Sequence, residues 1–291
     1  MTNRSRIRPR RTTKGSLALA AILTGTTSLA GCLLTSSFDN VAGVRPADAA
    51  PPVDDAVSDG SDEAGETGEG GAPPFSCATQ APAHFICSDF DEGSITGGGW
   101  TLSQSGGGSA RLDTAQFASP PSALVGRLPA VLDTTTASGI LFQNVKGLVP
   151  KGVHMAFDMR IGSCQAMPGG SITLAVIAPI KAVTFGFVIQ SNNAFAFAEQ
   201  ITVDGGRTFT PHTLSTMPAA GVWTRVKLDV TFTPATGSAS VRLDDKEVLK
   251  TDVSGVTPDG SPVLLNIGTF STGPNFPCDV DFDNVTFDPD L

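Results

Sequence analysis

The chain contains no tyrosine and only two tryptophans, Trp100 and Trp223, in 291 residues. A glycan-stacking platform of tyrosines is therefore excluded, and the 17 phenylalanines carry nearly all of the aromatic surface. Histidine is as scarce. His84, His154 and His212 are scattered and no Cys-x-x-Cys occurs, which argues against a structural zinc site. No apolar run reaches the roughly 20 residues of a membrane-spanning helix. There is no Gly-x-Ser-x-Gly elbow, no His-Glu-x-x-His and no phosphate-binding loop. No internal repeat is visible.

What is present is unevenly distributed. Residues 1–31 hold Arg4, Arg6, Arg8, Arg10, Arg11 and Lys14 and no acidic residue, followed by an apolar run from Leu17 through Leu23. That is the plan of a secretory signal. Residues 1–31 contribute six of the 19 basic residues, so the remainder carries 13 against 28 acidic ones, a net of −15. Such a balance argues against nucleic acid and against an anionic membrane surface as partners. Residues 32–76 are rich in Ala, Gly, Pro, Ser, Asp and Glu, as in Asp62-Glu63-Ala64-Gly65-Glu66, and nearly lack aromatics. This composition predicts a disordered acidic linker extended by its own charge.

The signal region ends in Leu29-Ala30-Gly31-Cys32, which resembles the lipobox of bacterial lipoproteins. The resemblance implies acylation of Cys32 and a lipid anchor in the membrane, since stably held acyl chains bury about 0.8 kcal/mol per methylene. Leu33, rather than Asp, after the cysteine implies sorting to the outer membrane.

Four cysteines remain, Cys77, Cys87, Cys164 and Cys278. An even number in an exported domain predicts two disulfides, for which three pairings are open. The closeness of Cys77 and Cys87 favours their pairing, which leaves Cys164 to Cys278.

From Cys77 to Leu291 the chain alternates in the manner of strands. Met155, Phe157, Met159 and Ile161 share one face, as do Val183, Phe185, Phe187 and Ile189, and Val226, Leu228, Val230 and Phe232. Ser191-Asn192-Asn193 and Pro234-Ala235-Thr236-Gly237 read as turns. A parity change between Phe282 and Val285 predicts a bulge. The expected fold is all-β: a two-sheet antiparallel β-sandwich over residues 77–291, preceded by the signal peptide and linker.

The stretch Gly221-Val222-Trp223-Thr224-Arg225-Val226-Lys227-Leu228, with Thr236-Gly237 and Val241-Arg242-Leu243-Asp244-Asp245-Lys246, resembles the laminin-G-like branch of the concanavalin A-like jelly rolls. Phe90-Asp91-Glu92-Gly93 and Phe282-Asp283-Asn284-Val285 look like its terminal strands. Asp245-Lys246 departs from the Asp-Gly turn usual there. The family includes glycoside hydrolases and lyases, and its retaining hydrolases carry Glu-x-Asp-x-x-Glu on one strand. This chain lacks that run. The expectation is therefore that the domain is not an enzyme.

Two sites stand out. Asp279, Asp281 and Asp283 fall at every second residue, and Asp89 and Asp91 do the same near the start. On strands these carboxylates share a face. If first and last strands meet, they form a structural calcium site; otherwise they make a solvated acidic edge that discourages aggregation. Trp223 and Trp100 are the candidate sugar-stacking residues, each alternatively a packing residue.

Taken together, the sequence predicts a lipid-anchored, exported, non-catalytic binding or structural protein of the bacterial envelope, with a glycan or an envelope protein as ligand. The alternatives are a carbohydrate-active enzyme, hydrolase or lyase, of concanavalin A-like fold, and a purely structural envelope component.

Overall fold

A computed structural model describes residues 75–291. Cys32, the signal and nearly all of the linker lie outside the described residues. The described chain contains fifteen strands and no α-helix. In order they are β1 (Ile86–Ser88), β2 (Thr101–Ser105), β3 (Ser109–Asp113), β4 (Ala123–Leu128), β5 (Thr136–Val145), β6 (Gly152–Ser163), β7 (Ser171–Ile180), β8 (Val183–Ile189), β9 (Phe195–Val203), β10 (Gly206–Thr213), β11 (Thr224–Thr231), β12 (Thr236–Leu243), β13 (Lys246–Ser254), β14 (Val263–Thr272) and β15 (Cys278–Asp290).

They form two antiparallel sheets. Sheet A runs β13-β12-β11-β6-β15-β4-β3, with β1 also paired to β15; sheet B runs β10-β9-β8-β7-β14-β5-β2. The architecture is the expected jelly-roll sandwich. Non-consecutive neighbours such as β6 and β15, or β7 and β14, are what distinguish it from a simple meander.

The alternating positions point inward as predicted. Met155, Phe157, Met159, Phe185, Phe187, Phe197, Val226, Leu228, Phe282 and Phe287 are all buried in one inter-sheet core. Phe157 touches Phe187 across the sheets, with ring centroids 6.2 Å apart, an edge-to-face contact of the kind aromatic cores favour. Each such side chain contributes roughly 1.5–3 kcal/mol through burial.

Turn chemistry closes the hairpins. Asp204 and Gly205 take positive φ between β9 and β10, and Asp244 and Asp245 do so between β12 and β13. Both are two-residue loops of the type whose twist matches the flanking strands. The second uses no glycine. Asp244 compensates by accepting a hydrogen bond from the Arg225 backbone N–H at 2.9 Å. Cys77 bonds to Cys87 and Cys164 to Cys278.

Candidate functional site

The two sheets present two outer faces, and the residues singled out in the sequence lie on sheet A, at the strand ends or in the core. Strand β1 does pair with β15, so the first and last strands meet as the calcium expectation required. The aspartates nevertheless do not converge. Asp279 pairs with Arg127 at 3.0 Å, half-exposed. Asp281 is buried and pairs with Arg160 at 2.8 Å. Asp283 is fully buried, and its Oδ2 accepts the backbone N–H groups of Ala118 and Ser119 at 2.9 and 2.8 Å. Its Oδ1 accepts the N–H of Asn284. Asp89 accepts the N–H of Cys77 at 2.8 Å. Bulges after Asp279 and after Asp283 break the row. Among the described residues no group of three or more His, Cys, Asp or Glu is arranged to hold a metal ion. Arginines and backbone donors meet these charges instead.

Burial acts on the protonation of Asp91, Asp281 and Asp283. It raises Asp91, helped by the neighbouring Asp89 charge, and raises Asp281 against the pull of Arg160. Burial pushes Asp283 up to about 7, opposed by its backbone donors.

Neither tryptophan forms an exposed platform. Trp100 is 4% exposed and belongs to the main core, so its expected sugar-stacking role is corrected. Trp223 is partly buried and sits just before β11, an interior strand of sheet A.

The outer face of sheet B is different. Because Phe185, Phe187 and Phe197 point into the core, their neighbours Thr184, Gly186, Val188, Ala196, Ala198 and Gln200 point away from it. Register aligns one row across all seven strands: Thr101, Phe142, Asn266, Val176, Gly186, Ala198 and Pro211. A second row aligns Ser105, Ser138, Phe270, Thr173, Val188, Ala196 and Thr213. Thr184, Gln200 and Phe209 stand opposite one another on β8, β9 and β10, and Arg207 opposes Thr202.

The middle of this face is floored by small residues. A Cβ built on Gly186 would meet nothing closer than Val188 Cγ1 at 3.4 Å. Two hollows of about 10 Å³ each open here, room for roughly one water or hydroxyl apiece. Thr173 and Val176 line both. Asn266 and Phe270 line one, while Thr184, Gln200 and Phe209 line the other.

Asn266 is 3% exposed and neither atom of its carboxamide is hydrogen-bonded among the described residues. The Thr173 hydroxyl is in the same condition. Buried polar groups are nearly always paired, so two orphans on one face mark groups held for something else. Of the side chains in these rows, Arg207 alone carries a charge.

None of these residues was read from the sequence as a site. The available signal was the small and polar set interleaved with the core phenylalanines of β8 and β9, which an alternation search treats as merely the other face.

No family model matches the chain, and no curated protein matches it. Solved structures do share its fold. An endo-β-1,4-glucuronan lyase from the fungus Trichoderma reesei is 16% identical with a TM-score of 0.56, the match covering 71% of this chain and 95% of that one. The cellulose induced protein Cip1 is 13% identical with a TM-score of 0.50, covering 69% and 96%. At this identity the similarity is one of fold. It still overturns the expectation of a non-enzyme, which rested on missing hydrolase motifs, because the jelly roll of this chain is one on which a polysaccharide lyase is built.

Proposed function

We propose that this chain is a carbohydrate-active enzyme that binds an extended polysaccharide across the outer face of sheet B. The observation that carries the reading is the unpaired Asn266 carboxamide, with Thr173 beside it, over a floor of Gly186, Ala196 and Ala198. Small residues give a sugar chain access, the half-buried Phe209 offers apolar surface to a ring face, and the amide and hydroxyls offer hydrogen bonds.

The reaction class that suits this set is β-elimination at a uronate. In it the C5 proton is removed, the bond from C4 to the glycosidic oxygen breaks, and a C4–C5 double bond forms. The C5 proton becomes acidic only when the adjacent carboxylate is neutralised by hydrogen-bond donors. The Asn266 amide on β14 is a donor of the right kind; Arg207, four strands away on β10, would meet a carboxylate further along the polymer. The rows hold no imidazole, carboxylate or amine, so the base that would take the C5 proton and the donor that would protonate the leaving glycosidic oxygen to a hydroxyl lie outside them. Glucuronan, named for the lyase of the same fold, is the first substrate to try.

Export and lipid anchoring through Cys32 belong to the same reading. They would hold the domain at the envelope, where polymeric glycans are met. The test is incubation of the chain with soluble uronate polysaccharides, following the ultraviolet absorbance of the unsaturated product. Product formation that disappears in Asn266→Ala supports the reading. Binding without product on a broad panel would remove the lyase assignment, and neither binding nor product would remove the site.

A further inference from the structure

The end of the last strand is held by two of the three histidines, on the outer face of sheet A. His154 on β6 lies between carboxylates of both flanking strands. Its Nδ1 is 2.6 Å from Asp229 Oδ1 on β11, and its Nε2 is 3.1 Å from Asp290 Oδ2 on β15. His84 Nδ1 lies 2.6 Å from Asp288 Oδ2, whose partner oxygen accepts the Phe85 N–H at 2.8 Å.

Chemistry restricts the state of His154. An ionised carboxylate only accepts hydrogen bonds, and a neutral imidazole has one donor nitrogen and one acceptor. Both contacts are satisfied together only by the imidazolium. In the neutral ring one nitrogen lone pair faces a carboxylate oxygen, and that contact becomes repulsive.

The neighbourhood is arranged around this contact. Gly152 stands in register with Asp290. A Cβ there would lie 2.7 Å from Asp290 Oδ2 and 3.0 Å from the Val230 carbonyl. Glycine therefore leaves the space through which Asp290 reaches the ring. Across the sheet, Lys250, Ser240, Asp229, His154 and Asp288 stand in one register row. The charged groups facing the ring are thus Asp229 from β11 and Asp288 and Asp290 from β15. Lys250 lies at the far end of the row. Lys151, just before β6, donates through Nζ to the Leu291 carbonyl.

We propose that His154 is a pH-operated clasp that fastens the C-terminal end of β15 across β6 to β11 when protonated and releases it when neutral. Burial works against the ring's charge, but Asp229 and Asp290 outweigh it and raise His154 above the usual histidine value. A raised value means that the clasp's contribution is full below the unfolded histidine range and is lost as pH rises through the folded value. The released segment adjoins Phe287, which pairs with Ile86 of β1, and β1 carries Cys87 of the disulfide to Cys77. Opening therefore loosens β1 and the disulfide-bonded start of the described residues.

The experiment is amide hydrogen exchange on the full chain at about pH 5 and about pH 8, the window in which histidine changes charge, expressed as protection factors so that intrinsic exchange cancels. Amides of Thr286, Phe287, Asp288 and Asp290 should lose protection several-fold between the two. His154→Gln should show the low value at both, and Gly152→Ala should weaken the low-pH protection by pushing Asp290 aside. Amides of β7 and β8 report whether either variant still folds. An imidazole titration by nuclear magnetic resonance gives a second reading. Unchanged protection across the window, the same loss in His154→Gln, or a His154 that titrates at or below about 6.5 would each overturn the clasp.

Discussion

Asn266 stands directly across from Phe142 on one side and Val176 on the other, its carboxamide buried between two apolar neighbours with no hydrogen bond among the described residues. An unsatisfied buried polar group costs about 1–3 kcal/mol. Asn266→Leu, of the same branched shape, should therefore leave the fold as stable or raise its stability by about 1 kcal/mol, while glycan affinity falls. Urea unfolding together with a binding titration checks both halves. A loss of stability with affinity retained would make Asn266 a structural residue.

Gly186 tests the floor of the same face. Its surroundings leave ordinary van der Waals room for a side chain, so Gly186→Leu should fold with a midpoint near that of the parent. The new side chain would occupy the trough between Phe209 and Phe270. Polysaccharide binding should drop by at least an order of magnitude, or about 1.4 kcal/mol, read by affinity electrophoresis or calorimetry.

On the opposite face, Arg160 and Asp281 form a mostly buried ion pair, their side chains 23% and 8% exposed. Removing one partner leaves the other charge in a poorly solvated place. Arg160→Met should cost about 2–3 kcal/mol, at or below the range for fully buried pairs because water still reaches Arg160. The double variant with Asp281→Leu should recover much of that loss. Denaturant midpoints of the two variants decide the matter, and equal destabilisation in both would show that the pair's charge is not what matters.

Asp283 gives a pH dependence of definite sign. Burial raises it to about 7, so the folded state holds a proton that the unfolded chain has already released over the range between the ordinary carboxylate value and neutrality. Its contribution is full at low pH and is lost as pH rises through about 7. Asp283→Asn should flatten the slope of thermal midpoint against pH over that range. A slope identical to the parent's would place the titration elsewhere.

The sandwich was legible in the sequence where strands bury one face only, as β6 and β11 do, or set large side chains against small ones, as β8 does although both its faces are buried. Strands β6, β8 and β11 alternate, and the parity change in the last strand marks the observed bulge between Asp283 and Thr286. Strands β5 and β7 were missed for the opposite reason. At the centre of sheet B both of their faces are buried, as in the unbroken run from Ile172 to Ala178, so no alternation is left to read. The site went unread for the same cause. Thr173, Asn266 and Gly186 owe their meaning to one another on the adjacent strands β7, β14 and β8, of which β14 is distant in sequence from the other two, and no local pattern reports that juxtaposition. The acidic strand misled because spacing shows which face a carboxylate takes and not which donor waits there. Arg160, for one, lies 121 positions from Asp281.

The most direct test of the account is amide exchange of the full chain with and without a soluble uronate polysaccharide. The account predicts added protection on β7, β8, β9 and β14, centred on residues 173–176, 184–188, 196–200 and 264–270, and its loss in Gly186→Leu. Protection confined to sheet A, around Trp223 or the acidic strand, would contradict it.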